Sequence, residues 1–151
     1  MQVKKMNSKE IEELLKKNYE SDFSLENFEF FLRKDQKIFI SKNLPQDMVK
    51  KSMYLLHFGN LKRNGKIQLS IEGSQIIGKS AKKNVAVLDE ENAMRFAEGL
   101  SVSPKELINC EKFNFVLVKF KEDFLGSGLL RDKVEPYISK DRKILTSMKK
   151  V

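Results

Sequence analysis

This chain has little of what most protein chemistry requires. It holds one cysteine and one histidine in 151 residues. Cys110 therefore has no partner for an internal disulfide, and nothing argues for an oxidising compartment. Without a CxxC pair, a zinc site of the usual Cys/His kinds is excluded, and Cys110 reads as a small packing residue. His57 lies in an apolar run before Gly59, with no nucleophile or carboxylate singled out beside it. A histidine-based triad has no support, and His57 reads as a partly buried strand residue. No window approaches the roughly 20 apolar residues of a membrane span. The stretch from Met1 to Glu10 lacks the apolar core of a signal peptide. A soluble, intracellular protein is expected, with no membrane partner. There are no internal repeats and no low-complexity segments.

Two short patterns resemble chemical sites and are better explained otherwise. Asp89, Glu90 and Glu91 form an acidic run at a helix start, where the dipole favours carboxylates, and too few other ligands accompany them for a metal. Gly126-Ser127-Gly128 lacks the spacing of a phosphate loop or a dinucleotide fingerprint. It sits inside a strand pattern, where glycine marks a bulge or a close backbone approach, either to a neighbouring strand or to an RNA backbone. No catalytic residue, metal or cofactor is expected.

What the chain does have is basic charge. Lys and Arg number 29 against 21 Asp and Glu, a net charge of +8. Such an excess favours anionic partners, nucleic acid first and acidic membrane surfaces second. The hydrophobic content of 40% permits a genuine core. The basic residues also cluster. Lys62, Arg63, Lys66, Lys79, Lys82 and Lys83 face one acid, Glu72, between Gly59 and Lys83. Arg131, Lys133, Lys140, Arg142, Lys143, Lys149 and Lys150 face Asp132, Glu135 and Asp141 at the C-terminal end. Clusters of this density pair with several phosphates and give salt-dependent affinity. Tyr137 precedes the terminal cluster and is placed either to stack on an unpaired base or to fill a core.

Periodicity gives a mixed order of elements. A helix is predicted from about Ser8 to Glu20, capped by Asn7 or Ser8, with Ile11, Leu14 and Leu15 on its apolar face. Strands follow at 27–33 and 37–41, and a helix starting at Asn43-Leu44-Pro45 runs to about Met53. The clearest hairpin joins 54–62 to 66–71 through Asn64-Gly65, a signal for a tight two-residue turn. Glu72 to Ala81 reads as a short helix weakened by Gly73 and Gly78. Lys82-Lys83-Asn84 is the candidate domain boundary. Val85 to Leu88 reads as a buried strand, and Asp89 caps a helix that Gly99 stops. Pro104 to Asn109 is expected to add a helical turn. A second hairpin, Phe115 to Phe120 with Asp123 to Leu129, leads to the segment 133–138 and the basic end. The fold class is α+β in two small modules, 1–82 and 83–151.

The order and spacing of these segments resemble a known family. Phe58-Gly59-Asn60-Leu61-Lys62, Gly65 to Ile71 and Lys83-Asn84-Val85-Ala86-Val87 make one part. Ala93 to Leu100, Phe115 to Phe120 and Asp123 to Leu129 make the other. Over roughly residues 28–145 they are similar to ribosome-biogenesis factors of the Nip-seven type. The resemblance implies an N-terminal α/β (pre-PUA) module with an antiparallel sheet, followed by a PUA-type β pseudo-barrel that binds RNA. It also implies a non-enzymatic role in rRNA processing for the large ribosomal subunit, and the compact form implies an archaeal-type member located in the cytoplasm. Arg142 and Lys143 occupy the family's basic stretch, with Lys140 beside them. Phosphate contacts are expected from Arg131, Lys133, Arg142 and Lys143, with Lys62, Arg63, Lys82 and Lys83 on the same surface. Gly99, Gly126 and Gly128 would admit the RNA backbone. The expected partners are rRNA or pre-rRNA, with an RNA methyltransferase or another assembly factor beside it. The main alternative is a stand-alone accessory PUA-like subunit of an RNA cytosine methyltransferase; a small enzyme and a protein-only scaffold are further alternatives.

Overall fold

The structure, a computed structural model, describes residues 3–42 and 55–137. These residues fold as α+β, with two five-stranded sheets and three α-helices. The first sheet comprises β1 (Val3–Met6), β2 (Phe28–Arg33), β3 (Lys37–Lys42), β4 (Leu56–Lys62) and β5 (Lys66–Leu69), paired antiparallel in chain order. Helix α1 (Ser8–Tyr19) covers its inner face. The Asn7 side chain accepts from Lys9 N at 2.9 Å and opens the helix. Ile11, Leu15 and Tyr19, spaced one turn apart, are buried with Phe30, Ile38, Phe58 and Ile67. Tyr19 is fully buried, and its hydroxyl donates to Ile67 O at 2.6 Å. Burial pushes that phenol above its usual range.

The β4–β5 connection differs from the expected two-residue turn. Lys62 pairs with Lys66, so three residues, Arg63–Gly65, form the loop. Asn64 and Gly65 both take positive φ, at 64° and 69°. The C-terminal end of α1 holds the loop open: Asn18 Nδ2 donates to Gly65 O at 3.0 Å and Lys17 Nζ to Asn64 O at 3.4 Å.

Helix α2 (Ile71–Ile77) is capped by Ser70, whose hydroxyl accepts from Gly73 N at 3.0 Å. It packs on β4 and on the second sheet's longest strand, then continues as one 3₁₀ turn, Gly78–Ser80. That second sheet contains β6 (Val85–Val87), β7 (Glu106–Ile108), β8 (Phe115–Phe120), β9 (Asp123–Leu130) and β10 (Val134–Tyr137), in the order β10-β9-β8-β6-β7. β6 and β8 are parallel and the other pairs antiparallel. Helix α3 (Glu90–Ala97) begins at Asp89, which accepts from Asn92 N at 2.8 Å. It ends as Gly99 N donates to Phe96 O at 2.9 Å and Leu100 N to Arg95 O at 3.0 Å, with Gly99 at φ 85°.

Two segments depart from the sequence reading. Pro104 to Asn109 contains a strand instead of a helical turn, because Glu106–Ile108 supplies the partner that the buried edge of β6 requires. Val3–Met6 is a strand that its charged composition concealed. The helix expected from Asn43 to Met53 lies outside the described residues. Among the described residues the second sheet is not a closed barrel. Its two edges are nevertheless joined by one short stretch: Val102 bridges Val134 of β10, and β7 begins four residues later at the opposite edge.

All strands of the first sheet precede residue 70 and those of the second follow residue 84. The core does not divide there. Val85, Leu117 and Phe124 belong to the same buried cluster as Ile11, Phe30 and Phe58. A second cluster, built from Ala86, Phe96, Val116, Val118 and Val134, lies under α3. Lys82 N and Lys83 N both donate to Tyr19 O, at 2.8 and 3.1 Å, and Asn84 Nδ2 donates to Asn18 O at 2.8 Å. No described helix is long and apolar enough to cross a membrane.

Candidate nucleic-acid interface

Strand alternation sends neighbouring side chains to opposite faces. On β5 and the end of β4 it puts Leu61, Ile67 and Leu69 on the core face and Asn60, Lys62, Lys66 and Gln68 on the outer face. A β-bulge where Ile38 and Phe39 pair with Gly59 and His57 returns Phe58 to the core. Part of that outer face meets the second sheet, where Leu117, Ser127 and Tyr137 form one row across β8, β9 and β10. Polar groups pair across the junction. Asn60 Nδ2 donates to Gln68 Oε1 at 2.6 Å, Gln68 Nε2 to Ser127 Oγ at 2.6 Å, and Ser127 Oγ to Leu69 O at 2.5 Å. Asn60, Gln68 and Ser127 are all buried, and every buried side-chain nitrogen and oxygen among the described residues has a partner.

The chain of bonds begins at His57. Its Nε2 lies 3.2 Å from Asn60 Oδ1 and 3.1 Å from Gly59 O. Asn60 uses its amide nitrogen toward Gln68, so both groups facing Nε2 are acceptors and Nε2 carries the proton in the neutral ring. Burial lowers the His57 pKa from its usual 6.5, against the opposing effect of the Asn60 bond. The folded state therefore favours the neutral ring. Below about pH 6.5 the unfolded chain binds more protons, and stability falls as the pH drops from there toward the folded pKa. Urea midpoints at pH 7.5 and about pH 5 measure this. His57→Gln is expected to remove part of the acid-side decline. The difference should stay below about 1 kcal/mol, because the half-exposed ring is screened by solvent.

Beyond Gln68 the junction opens to solvent as a cluster of rings and cations. Lys62 Nζ lies 4.9 Å from the Tyr137 ring centroid and 5.9 Å from that of Phe115, and donates to Tyr137 Oη at 3.1 Å. The two rings meet edge to face at 6.2 Å. Lys66 Nζ donates to Phe113 O at 3.4 Å. Phe113 is 66% exposed and Tyr137 40%. Phe113 N donates to Leu130 O at 2.6 Å, which sets the Arg131–Lys133 turn beside this loop. There Arg131 pairs with Glu135 at 3.5 Å and Lys112 with Asp132 at 3.9 Å. Lys62 and Lys66 instead bond to a phenol and a carbonyl, so these bonds leave their charge uncancelled.

The structure thus brings Lys62 and Lys66 of the first basic cluster to Tyr137 and to the Phe113 loop, which is bonded to Leu130 just ahead of Arg131 and Lys133 of the second. Arg63 lies in the β4–β5 loop, held by Lys17 and Asn18. Lys82 and Lys83 sit at the end of α1, where both N–H groups donate to Tyr19 O, and Lys82 lies 3.9 Å from Asp22. The adjoining Asn18 holds the Arg63–Gly65 loop. Lys79 lines a separate cleft with Lys119, Glu122 and Phe124. Gly99 ends α3. Gly126 and Gly128 are buried, and their close approaches are to the chain itself. A Cβ on Gly126 would stand 3.3 Å from Ile71, and one on Gly128 would stand 2.7 Å from Glu135 O. Of the two approaches that the strand pattern left open, the structure shows the one to neighbouring elements. Lys140, Arg142, Lys143, Lys149 and Lys150 lie outside the described residues.

Sequence reasoning missed Phe113 and Phe115 as ring surfaces. The available signal was Phe113 in the polar run Glu111-Lys112-Phe113-Asn114, where an aromatic has no core to fill. Cys110 is half-buried, with Sγ 3.3 Å from Val85 O, and burial pushes its thiol pKa up. Among the described residues, no three His, Cys, Asp or Glu side chains are grouped to hold a metal. No protein-family model matches this chain, and neither does any curated protein.

Proposed function

We propose that this protein is a non-enzymatic RNA-binding factor of large ribosomal subunit assembly, acting in the cytoplasm. The second sheet serves as its PUA-type RNA-binding domain. The observation that carries the RNA reading is the Lys62–Phe115–Tyr137 cluster. It unites a cation, a hydrogen-bonding phenol and a ring edge at the junction of two sheets. An unpaired base stacks on an aromatic ring while lysines attract the adjoining phosphates, which is how single-stranded RNA is held. The Val102–Val134 bridge, which draws the edges of the second sheet toward each other, supports the pseudo-barrel reading. The assembly role rests on the family resemblance.

The test is a salt titration of binding to a uridine-rich single-stranded RNA, with duplex DNA of equal length as control. The expected result is a preference for RNA and an affinity that falls steeply with salt. Lys62→Ala should make the slope of log affinity against log salt shallower by about one. Tyr137→Ala should cost about tenfold in affinity and leave the slope unchanged. Equal, weak binding to both polymers would overturn the reading and direct the search to a protein partner.

A further inference from the structure

The outer face of the first sheet carries a second set of rings, away from the junction. Register places Lys5 opposite Phe31, Phe31 opposite Phe39, and Phe39 opposite His57, so one row crosses β1, β2, β3 and β4. Directly opposed side chains share a face. This is the face away from α1, since the alternate residues Phe30, Ile38 and Phe58 fill the core. Phe31, Phe39 and His57 are each partly exposed there. The Phe39 and His57 rings are 5.8 Å apart, and the Arg33 guanidinium lies 5.3 Å from the Phe39 centroid.

Arg33 is held in place by a bidentate pair with Asp35, at 2.9 Å from Nε and 2.7 Å from Nη2. That pairing presents the guanidinium as a flat plate beside the rings and lowers the Asp35 pKa to about 2. The sheet thus offers two surfaces of the kind that unstacked bases occupy: aromatic faces and a fixed guanidinium plane.

Charge on this face selects the occupant. Lys37 stands on the same face one alternation from Phe39 and pairs in register with Asn60, which is itself one alternation from Lys62. Lys62 in turn pairs with Lys66. The β4–β5 part of the face carries Lys62 and Lys66 at its open end and Asn60 and Gln68 where the second sheet covers it, with no carboxylate among them, while Glu29 at the β2 end is paired with Lys5 at 3.3 Å. A line of ammonium groups therefore leads from the ring row to the junction cluster. Two alternations along the strand and one strand across make the span about 14 Å, a few nucleotides of extended chain.

We infer that the outer face of the first sheet is a second base-stacking platform, centred on Phe31, Phe39 and His57. One single-stranded RNA crosses it and continues over Lys37 and Lys62 to Tyr137. This rests on the RNA reading of the junction. The platform holds bases by stacking, and the lysines between hold the phosphates.

The experiment compares the whole protein with Phe39→Leu and Phe31→Leu, which keep an apolar side chain and remove a ring. Binding is measured to a uridine-rich 12-mer and to a trimer, with photocrosslinking of wild-type protein to 4-thiouridine RNA and mass-spectrometric mapping of the adducts. The expected result is a loss of about tenfold on the 12-mer, little change on the trimer that the junction alone accommodates, and an unchanged salt slope. Crosslinks should fall on both the 31–57 row and the 113–137 cluster. Wild-type affinity in both variants, with crosslinks confined to the junction, would overturn the platform while leaving RNA binding intact; the face then belongs to a protein. No RNA binding by the wild type would overturn both. If the leucine variants misfold, the crosslink map of the wild type decides alone.

Discussion

Gly73→Ala is expected to lower the unfolding free energy by about 3 kcal/mol, a shift of about 1.5 M in the urea midpoint. The usual effect of Gly to Ala inside a helix is opposite in sign, because alanine favours the helix by about 1 kcal/mol. Here packing outweighs propensity. A Cβ on Gly73 would run into Phe58 O, with the Leu69 side chain 3.4 Å away. Phe58 O also accepts from Ser70 N at 2.9 Å and from Ser70 Oγ at 3.1 Å. It belongs to the same strand as the fully buried Phe58 ring, 5.2 Å edge-on from Phe30. Neither element yields without breaking the cap or moving that ring. A variant as stable as the wild type, or more so, would mean that α2 stands further from β4 than the structure has it.

Gln68→Ala is expected to cost about 2–4 kcal/mol, more than its size indicates. Gln68 is 1% exposed and supplies both an acceptor to Asn60 and a donor to Ser127. Truncation leaves the Asn60 amide nitrogen without its partner and removes the donor to Ser127 Oγ, which keeps its bond to Leu69 O, and an unsatisfied buried group costs about 1–3 kcal/mol. Gln68→Glu keeps the acceptor toward Asn60 but puts a carboxyl group in a site 1% exposed, so it should cost at least as much as alanine at neutral pH. Thermal unfolding by circular dichroism measures both. If alanine costs under about 0.5 kcal/mol, water has taken the place of the amide and the junction is not dry.

The elements with strong local signals were legible. Asn7, Asp89 and Gly99 mark helix ends that the structure uses, because a cap depends on residues within one turn. The alternation of Ile67 and Leu69 gave the strand for the same reason, but the face expected to be wet is buried at Gln68, because the second sheet covers it. What could not be read depended on partners remote in the chain. Glu106–Ile108 has no strand signal of its own and is a strand because β6 lies beside it. The three-residue β4–β5 loop is set by Lys17 and Asn18, some 47 residues away along the chain. In the candidate site, charge density pointed to Lys62, Arg63, Arg131 and Lys133, and Tyr137 offered a ring for stacking, but nothing pointed to Phe113 and Phe115 beside it. Lys62 and Tyr137 are 75 residues apart, and no local pattern connects them. Gly73 and Gly78 read as helix breakers. Their role is proximity, Gly73 to Phe58 O and Gly78 to the Phe124 ring.

The strand order also carries a timetable. Every pairing in the first sheet joins strands that follow one another in the chain, so its topology is complete by residue 69. The second sheet has two closures of another kind, Val85 with Leu117 and Val102 with Val134, each spanning about 30 residues. Contacts of that range form late and set the folding rate. As the nascent chain leaves the ribosome, the N-terminal meander comes first and shows Gln68 and Lys62 on its outer face before their partners exist. The later strands then arrive at a surface already prepared, and Leu117 and Phe124 seal a core that the first half leaves open.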